Sequence, residues 1–246
     1  MKKLRRVSEA EVMAEFLKNE FYEEEFHNHR EQFERVVMDP DLHNETENAL
    51  RRALLFRRRG HMWRELPADT TWWEVEAPDV ARMRVFPRAN WRKISNGSYL
   101  LADIVERIRS RQSAGKSREF TSKIQSLSYA LRNQQDRSTV ILVGIDEQQP
   151  VTIIEGNHRL SAALLVSPAL LSSRFRYFCG FSPRMDKFCW HHSNLSNVWH
   201  YVKNRLKHLF HDPDKEVARA STRRLASTRR DGYAEVGAQE AVHESK

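Results

Sequence analysis

Thr139-Val140-Ile141-Leu142-Val143-Gly144-Ile145 and, after a polar break, Val151-Thr152-Ile153-Ile154-Glu155-Gly156-Asn157-His158-Arg159-Leu160-Ser161-Ala162-Ala163 carry the fold of this chain. The first run is short, aliphatic and rich in β-branched residues, which predicts a buried strand rather than a helix. Asp146-Glu147-Gln148-Gln149-Pro150 reads as a hairpin-like turn. Val151 to Ile154 predicts a second strand, broken at Gly156-Asn157. His158 to Val166 then reads as a short helix, stopped by Ser167-Pro168 because proline restricts the residue before it.

Working outward, Arg174 to Gly180 predicts another strand. Asn194 to His211 predicts a helix with Leu195, Val198, Val202, Leu206 and Leu209 on one side. On the other flank, Thr121 to Asn133 reads as helix and 112–118 as a polar loop. Ser98 to Ser110 is an amphipathic helix bearing Leu100, Leu101, Ile104, Val105 and Ile108. Arg82-Met83-Arg84-Val85-Phe86 alternates as a half-buried strand should, and Trp72, Trp73 and Val75 form a further extended segment. Earlier still, residues 8–38 read as one long helix or two short ones, opened by a capping box at Ser8 and Glu11 and ended by Asp39-Pro40-Asp41. A helix from about Asn44 to Arg58 follows, with Gly60 as its expected C-cap.

The expected class is α/β (α+β), a small mixed sheet flanked by helices. The expected division is a helical N-terminal extension over 1–65, an α/β domain with its C-terminal helix over 66–211, and a disordered tail over 212–246, where apolar periodicity is lost.

Lys plus Arg number 41 against 33 acidic residues, a net charge of +8 that favours anionic partners such as nucleotides, phosphorylated metabolites or nucleic acid. No run of about 18 apolar residues occurs, so no membrane partner is expected. The basic start, Met1 to Arg6, leads into no apolar stretch of a secretory signal, and a cytoplasmic location is expected. The chain's cysteines, Cys179 and Cys189, make no disulfide framework there.

The junction at Glu155-Gly156-Asn157-His158-Arg159 concentrates chemistry. The first turn of a helix offers backbone N–H groups and a partial positive charge, both of which attract anions. Gly156 permits a sharp turn and close backbone approach. Arg159 brings a planar fork of donors suited to phosphate or carboxylate, and His158 can move a proton near neutral pH. Glu155 is placed to act as a base or to meet a metal-bound phosphate. The same residues also read as an ordinary ion pair between Glu155 and Arg159, one helical turn apart, with His158 a surface side chain.

The order of helix, polar linker, strand, turn, strand and Glu-Gly-Asn-His-Arg-Leu-Ser-Ala-Ala resembles the ParB/sulfiredoxin superfamily over about residues 80–180. The resemblance implies a nucleotide-binding turn in which Gly156, His158 and Arg159 hold phosphate. Asn157 and Ser161 join the binding set, and Glu155 and His158 serve as catalytic groups. It also implies that the segment after the preceding strand crosses the pocket, bringing Asn90 and Arg92 to its lining. A magnesium ion is expected if the substrate is a triphosphate. The implied functions are phosphoryl transfer or nucleotide hydrolysis, with a non-catalytic nucleotide or nucleic-acid module and a metal-dependent nuclease as alternatives. Asn157 stands where sulfiredoxins carry their reactive cysteine, which argues against that reaction. No helix-turn-helix module follows residue 180, which argues against chromosome segregation.

Three other patterns carry less. Cys189-Trp190-His191-His192 with Cys179 lacks the paired sets of ligands that zinc requires, so no metal site is assigned. His191, His192 and Asn194 read instead as lining a cleft or capping a helix. Arg51, Arg52, Arg57, Arg58, Arg59 and Arg64 form a basic stripe expected to pair with Glu20 and Glu23 to Glu25 rather than with nucleic acid. Gly115-Lys116-Ser117 matches the end of a P-loop, but Ser110 occupies the place of its first glycine.

Overall fold

The structure, a computed structural model, describes residues 1–85, 91, 94, 97–110, 118–133, 138–192, 194–209 and 214–224. It is of mixed α/β class. In chain order the elements are β1 (Lys3–Arg6), α1 (Glu9–Glu20), α2 (Arg30–Met38), α3 (Glu45–Trp63), β2 (Thr71–Val75) and β3 (Met83–Val85). There follow α4 (Leu101–Arg109), α5 (Arg118–Asn133), β4 (Ser138–Gly144), β5 (Val151–Glu155), α6 (Asn157–Val166), α7 (Leu170–Arg174), β6 (Phe175–Phe181) and α8 (Leu195–Leu209). Helix α9 covers 214–224. Among the described residues no helix is long and apolar enough to cross a membrane.

The chain divides into two compact units, one of Met1–Val12 with Arg64–Asn204, the other of Met13–Trp63 with Arg205–Lys246. The first holds a six-stranded sheet in the order β1-β2-β6-β4-β5-β3. Strands β6 and β4 pair in parallel, as do β5 and β3, while β1–β2, β2–β6 and β4–β5 are antiparallel. The central strands β4 and β6 are buried on both faces, which is why their sequences read as continuous apolar runs rather than alternating ones. Val140, Leu142, Val151, Ile153, Tyr177 and Cys179 join Ile104, Leu160 and Ala163 of the neighbouring helices in one core. Cys179 is fully buried, and burial pushes its thiol well above the usual range.

Strand β1 falls in a segment read from sequence as the start of a helical extension. Lys3 to Arg6 lacks a strand-like apolar pattern because most of it is exposed. What holds it is remote. Its ladder runs along β2, and the Arg5 guanidinium donates to Glu74 at 2.8 Å and to Glu11 at 3.0 Å.

In the second unit, Phe16, Leu17, Phe21, Phe33, Val37, Leu54 and Leu55 are all buried. Arg51 is 1% exposed and tied to the carbonyls of Val36 (2.9 Å) and Asp41 (2.6 Å) and to Asn48 Oδ1 (2.5 Å). Arg58 and Arg59 pair with Glu20, and Arg58 also with Glu25, so this part of the basic stripe meets the acidic segment it was expected to meet. Gly60 is not a C-cap. It is buried inside α3, which runs on to Trp63, and Trp63 meets Phe16 edge to face at 6.0 Å. Within the segment expected as a tail from 212, residues 214–224 form helix α9. In α9, Val217 and Ala220 are buried and Ser221 accepts from Gln32 at 3.4 Å, too few apolar positions to reveal a helical period in the sequence. Residues 225–246 lie outside the described residues.

Candidate functional site

Strand β5 ends at Glu155, where its register against β4 shifts: Ile141 pairs with Glu155 but Leu142 with Ile153, so the extra residue, Ile154, lies on β5. Bulges of this kind redirect side chains at the end of a ladder. Gly156 then takes φ +103°, the left-handed region that a residue with a Cβ adopts only at a cost. A Cβ there would also lie 3.0 Å from a methyl carbon of Val140. Both constraints select glycine, and the turn they permit starts α6, whose first helical bond runs from Leu160 N to Gly156 O at 2.9 Å. The amides of the first helical turn have no partner within the helix.

Around this turn the polar residues engage one another. Arg159 Nη2 donates to Glu155 Oε1 at 2.8 Å and to the carbonyl of Thr139 at 3.1 Å. Both side chains of this ion pair are mostly buried. The His158 ring lies against Trp91 with centroids 5.2 Å apart. Asn157 Nδ2 donates to the carbonyl of Ile153 at 3.4 Å, and its buried Oδ1 accepts no hydrogen bond. Ser161 is fully buried with its hydroxyl likewise unpartnered. Glu155, Gly156, Asn157, His158 and Arg159 thus share one turn, while Ser161 lies deeper in α6. Asn90 and Arg92 lie outside the described residues, as does Gly115-Lys116-Ser117.

A second polar cluster assembles farther down the same strand. Arg84 and Thr152 are paired neighbours on the parallel strands β3 and β5. Met83, Val85, Val151 and Ile153 join the core with the helices. By alternation, Arg84 and Thr152 therefore point to the opposite face of the sheet. Val85 N donates to the carbonyl of Tyr99 at 2.8 Å, which brings Tyr99 beside β3. From the other end of the chain, the amides of His191 and His192 both donate to the Phe188 carbonyl at 2.9 Å, and the resulting turn presents both imidazoles. Asn197 fixes that turn by donating to the carbonyls of Asp186 (2.8 Å) and His192 (2.6 Å), while its own amide is capped by Asn194 Oδ1 at 2.8 Å. Asn194 is therefore a helix cap, one of the two roles expected of it.

Arg84, Val85, Tyr99, Thr152, Trp190, His191 and His192 line a cleft of about 270 Å³. Thr152 Oγ1 and His191 Nδ1 share a hydrogen bond of 3.1 Å. Burial first, then the nearby charges of Arg84 and His192, push the His191 imidazole down to about 4, so it is neutral at pH 7. Among the described residues no carboxylate pairs with Arg84. Sequence reading named His191 and His192 as cleft residues but not Arg84, Thr152 or Tyr99. The alternation of residues 82–86 was the signal that Arg84 faces away from the core.

Among the described residues no group of three or more His, Cys, Asp or Glu side chains could hold a metal ion. Comparisons of the chain with protein-family models, with curated proteins and with solved structures found no match.

Proposed function

We propose that the chain is a phosphate- or nucleotide-binding protein of ParB/sulfiredoxin type, which takes the phosphates of a nucleotide or phosphorylated small molecule at the turn from β5 to α6 and catalyses phosphoryl transfer or nucleotide hydrolysis there. The observation that carries this reading is the left-handed Gly156 opening a ten-residue helix, with an arginine and a carboxylate paired across the same turn. Backbone amides and the helix dipole favour an anion at such a point. A phosphate arriving there competes with Glu155 for Arg159, because both are oxyanions suited to the guanidinium fork. In this reading binding exchanges one partner for the other and releases the Glu155 carboxylate. Glu155 then accepts the proton of the attacking water or hydroxyl, and His158, held against Trp91, donates a hydrogen bond to the phosphoryl oxygens. Magnesium would arrive on the phosphates of a triphosphate, as it commonly does. The described residues do not make a metal cage of their own, and no step here depends on the ion.

The test is titration of the full chain with ATP and ADP, with and without magnesium, and assay of phosphate release. Binding that survives Glu155→Gln while turnover disappears supports catalysis. Nucleotide binding that is absent, or unchanged in Arg159→Met, overturns the site. The closed Glu155–Arg159 pair favours a second reading, a non-catalytic nucleotide or nucleic-acid module. Binding without turnover across nucleotides, or binding of single-stranded DNA in their place, selects it. DNA cleavage that a chelator abolishes would instead mark a metal-dependent nuclease.

A further inference from the structure

Among the described residues the cleft at Arg84 shares no lining residue with the turn at Gly156, and its chemistry differs. We propose that it binds a small organic monocarboxylate, the carboxylate on Arg84 and the apolar body against Trp190 and Tyr99. Four observations carry this. Among the described residues lining the cleft, the polar side chains include hydrogen-bond donors or groups that can act as donors: the Arg84 guanidinium, the Tyr99 hydroxyl and the two imidazoles. Thr152, itself 2% exposed, engages His191 Nδ1 at 3.1 Å. When the hydroxyl donates to Nδ1, the proton of the neutral ring sits on Nε2 and is available to an incoming oxygen. Arg84 is a cation that the described residues leave without a carboxylate, and a planar fork is best matched by a planar carboxylate. Because His191 is neutral at pH 7, the guanidinium is the permanent positive charge among the described lining residues, which balances a monoanion better than a dianionic phosphate ester.

Size narrows the class further. At about 270 Å³ the cleft falls at the lower end of ligand pockets, suited to a single ring or a short branched chain rather than a nucleotide. Of its lining residues, Trp190 and Tyr99 bring flat aromatic rings to the cleft.

The experiment uses the full chain, labelled with ¹⁵N, and three probes of one shape: benzoate, neutral benzamide and cationic benzamidine. The ring nitrogens of His191 and the indole nitrogen of Trp190 are followed. Benzoate should shift both signals saturably below about 10 mM, with benzamide at least about tenfold weaker and benzamidine without effect. Arg84→Met, which keeps the apolar stem, should weaken benzoate at least about tenfold, and Arg84→Lys, which keeps the charge but loses the fork, by a smaller factor. Arg159→Met should leave benzoate binding unchanged, so failure here is separable from failure of the nucleotide reading. The proposal is overturned by equal responses to the three probes, by no saturable response to benzoate, or by undiminished benzoate affinity in either folded Arg84 variant.

Discussion

The turn at Glu155 and the cleft at Arg84 share strand β5, yet they handle charge in opposite ways. At the turn, a cation and an anion separated by four residues in sequence close on each other at 2.8 Å. In the cleft, Arg84, Thr152, Tyr99 and His191 come from four separate stretches of chain, and among the described residues the cation meets no carboxylate. Polar residues clustered in sequence tend to satisfy one another locally, through spacings that a helix provides without any tertiary help. Polar residues that the fold gathers from a distance have no such local partner. A dense sequence motif and an unneutralised charge are therefore separate kinds of evidence for a binding site, and in this chain they fall at different places.

The comparison can be tested in stages, beginning with the turn itself. Gly156→Ala should cost about 2–3 kcal/mol in urea denaturation, through the left-handed backbone and the Val140 methyl in the way of the new Cβ. A cost below about 0.5 kcal/mol would mean that the turn is not tightly built. On the cleft side, the His191 imidazole is held neutral down to about 4 in the folded state, below its ordinary value of 6.5. That contribution to stability is complete above pH 6.5 and is lost as pH falls towards 4, when the unfolded chain takes up a proton that the folded ring refuses. The loss should be about 2 kcal/mol after discounting residual exposure, and should vanish from the acid slope of His191→Asn. An identical slope in native and variant protein would remove the buried-imidazole account.

Next in size is the contrast between the charges. Glu155→Gln should destabilise by about 1 kcal/mol, because it replaces a charged partner of a mostly buried guanidinium with a neutral one, whereas Arg84→Met should stay within about 0.5 kcal/mol. If Arg84→Met costs more than Glu155→Gln in thermal and urea melts, Arg84 is a structural tie and the contrast is reversed. Smallest is Ser161→Ala. A fully buried hydroxyl without a hydrogen bond should be better replaced by a methyl, with a gain of about 0.5 kcal/mol. A measurable loss would show that the hydroxyl has a partner in solution, such as a bound water or ligand.

The two regions also differ in how far the sequence disclosed them. The run from Thr139 to Ala163 was legible because each part is governed by neighbours in the chain: strand by aliphatic run, turn by Gly156, helix by the small residues after it. Local periodicity could not say which way a helix faces. The apolar side of α8 was read correctly as a stripe, yet Leu195 is 92% and Trp199 69% exposed. Gly60 was read as a stop because glycine commonly ends helices, but packing within its unit holds it inside α3. Strand β1 and helix α9 escaped notice because their stability comes from partners far along the chain, Glu74 for Arg5 and Gln32 for Ser221. The same holds for the cleft. Nothing local to Arg84 announces Thr152, and nothing local to Thr152 announces His191.

Cys179 lies on β6 with β2 on one side and β4 on the other, and Cys189 is buried just ahead of the two cleft imidazoles; neither is bridged. An alkylating reagent reaches the first only in molecules whose strands have come apart, and the second whenever the 188–192 turn lifts. The chain thus carries two internal chemical clocks, one timing the rupture of the sheet and the other the breathing of a surface turn, with no label to be engineered in. Their difference in rate would measure how much of the cleft wall can move while the sheet beneath stays shut.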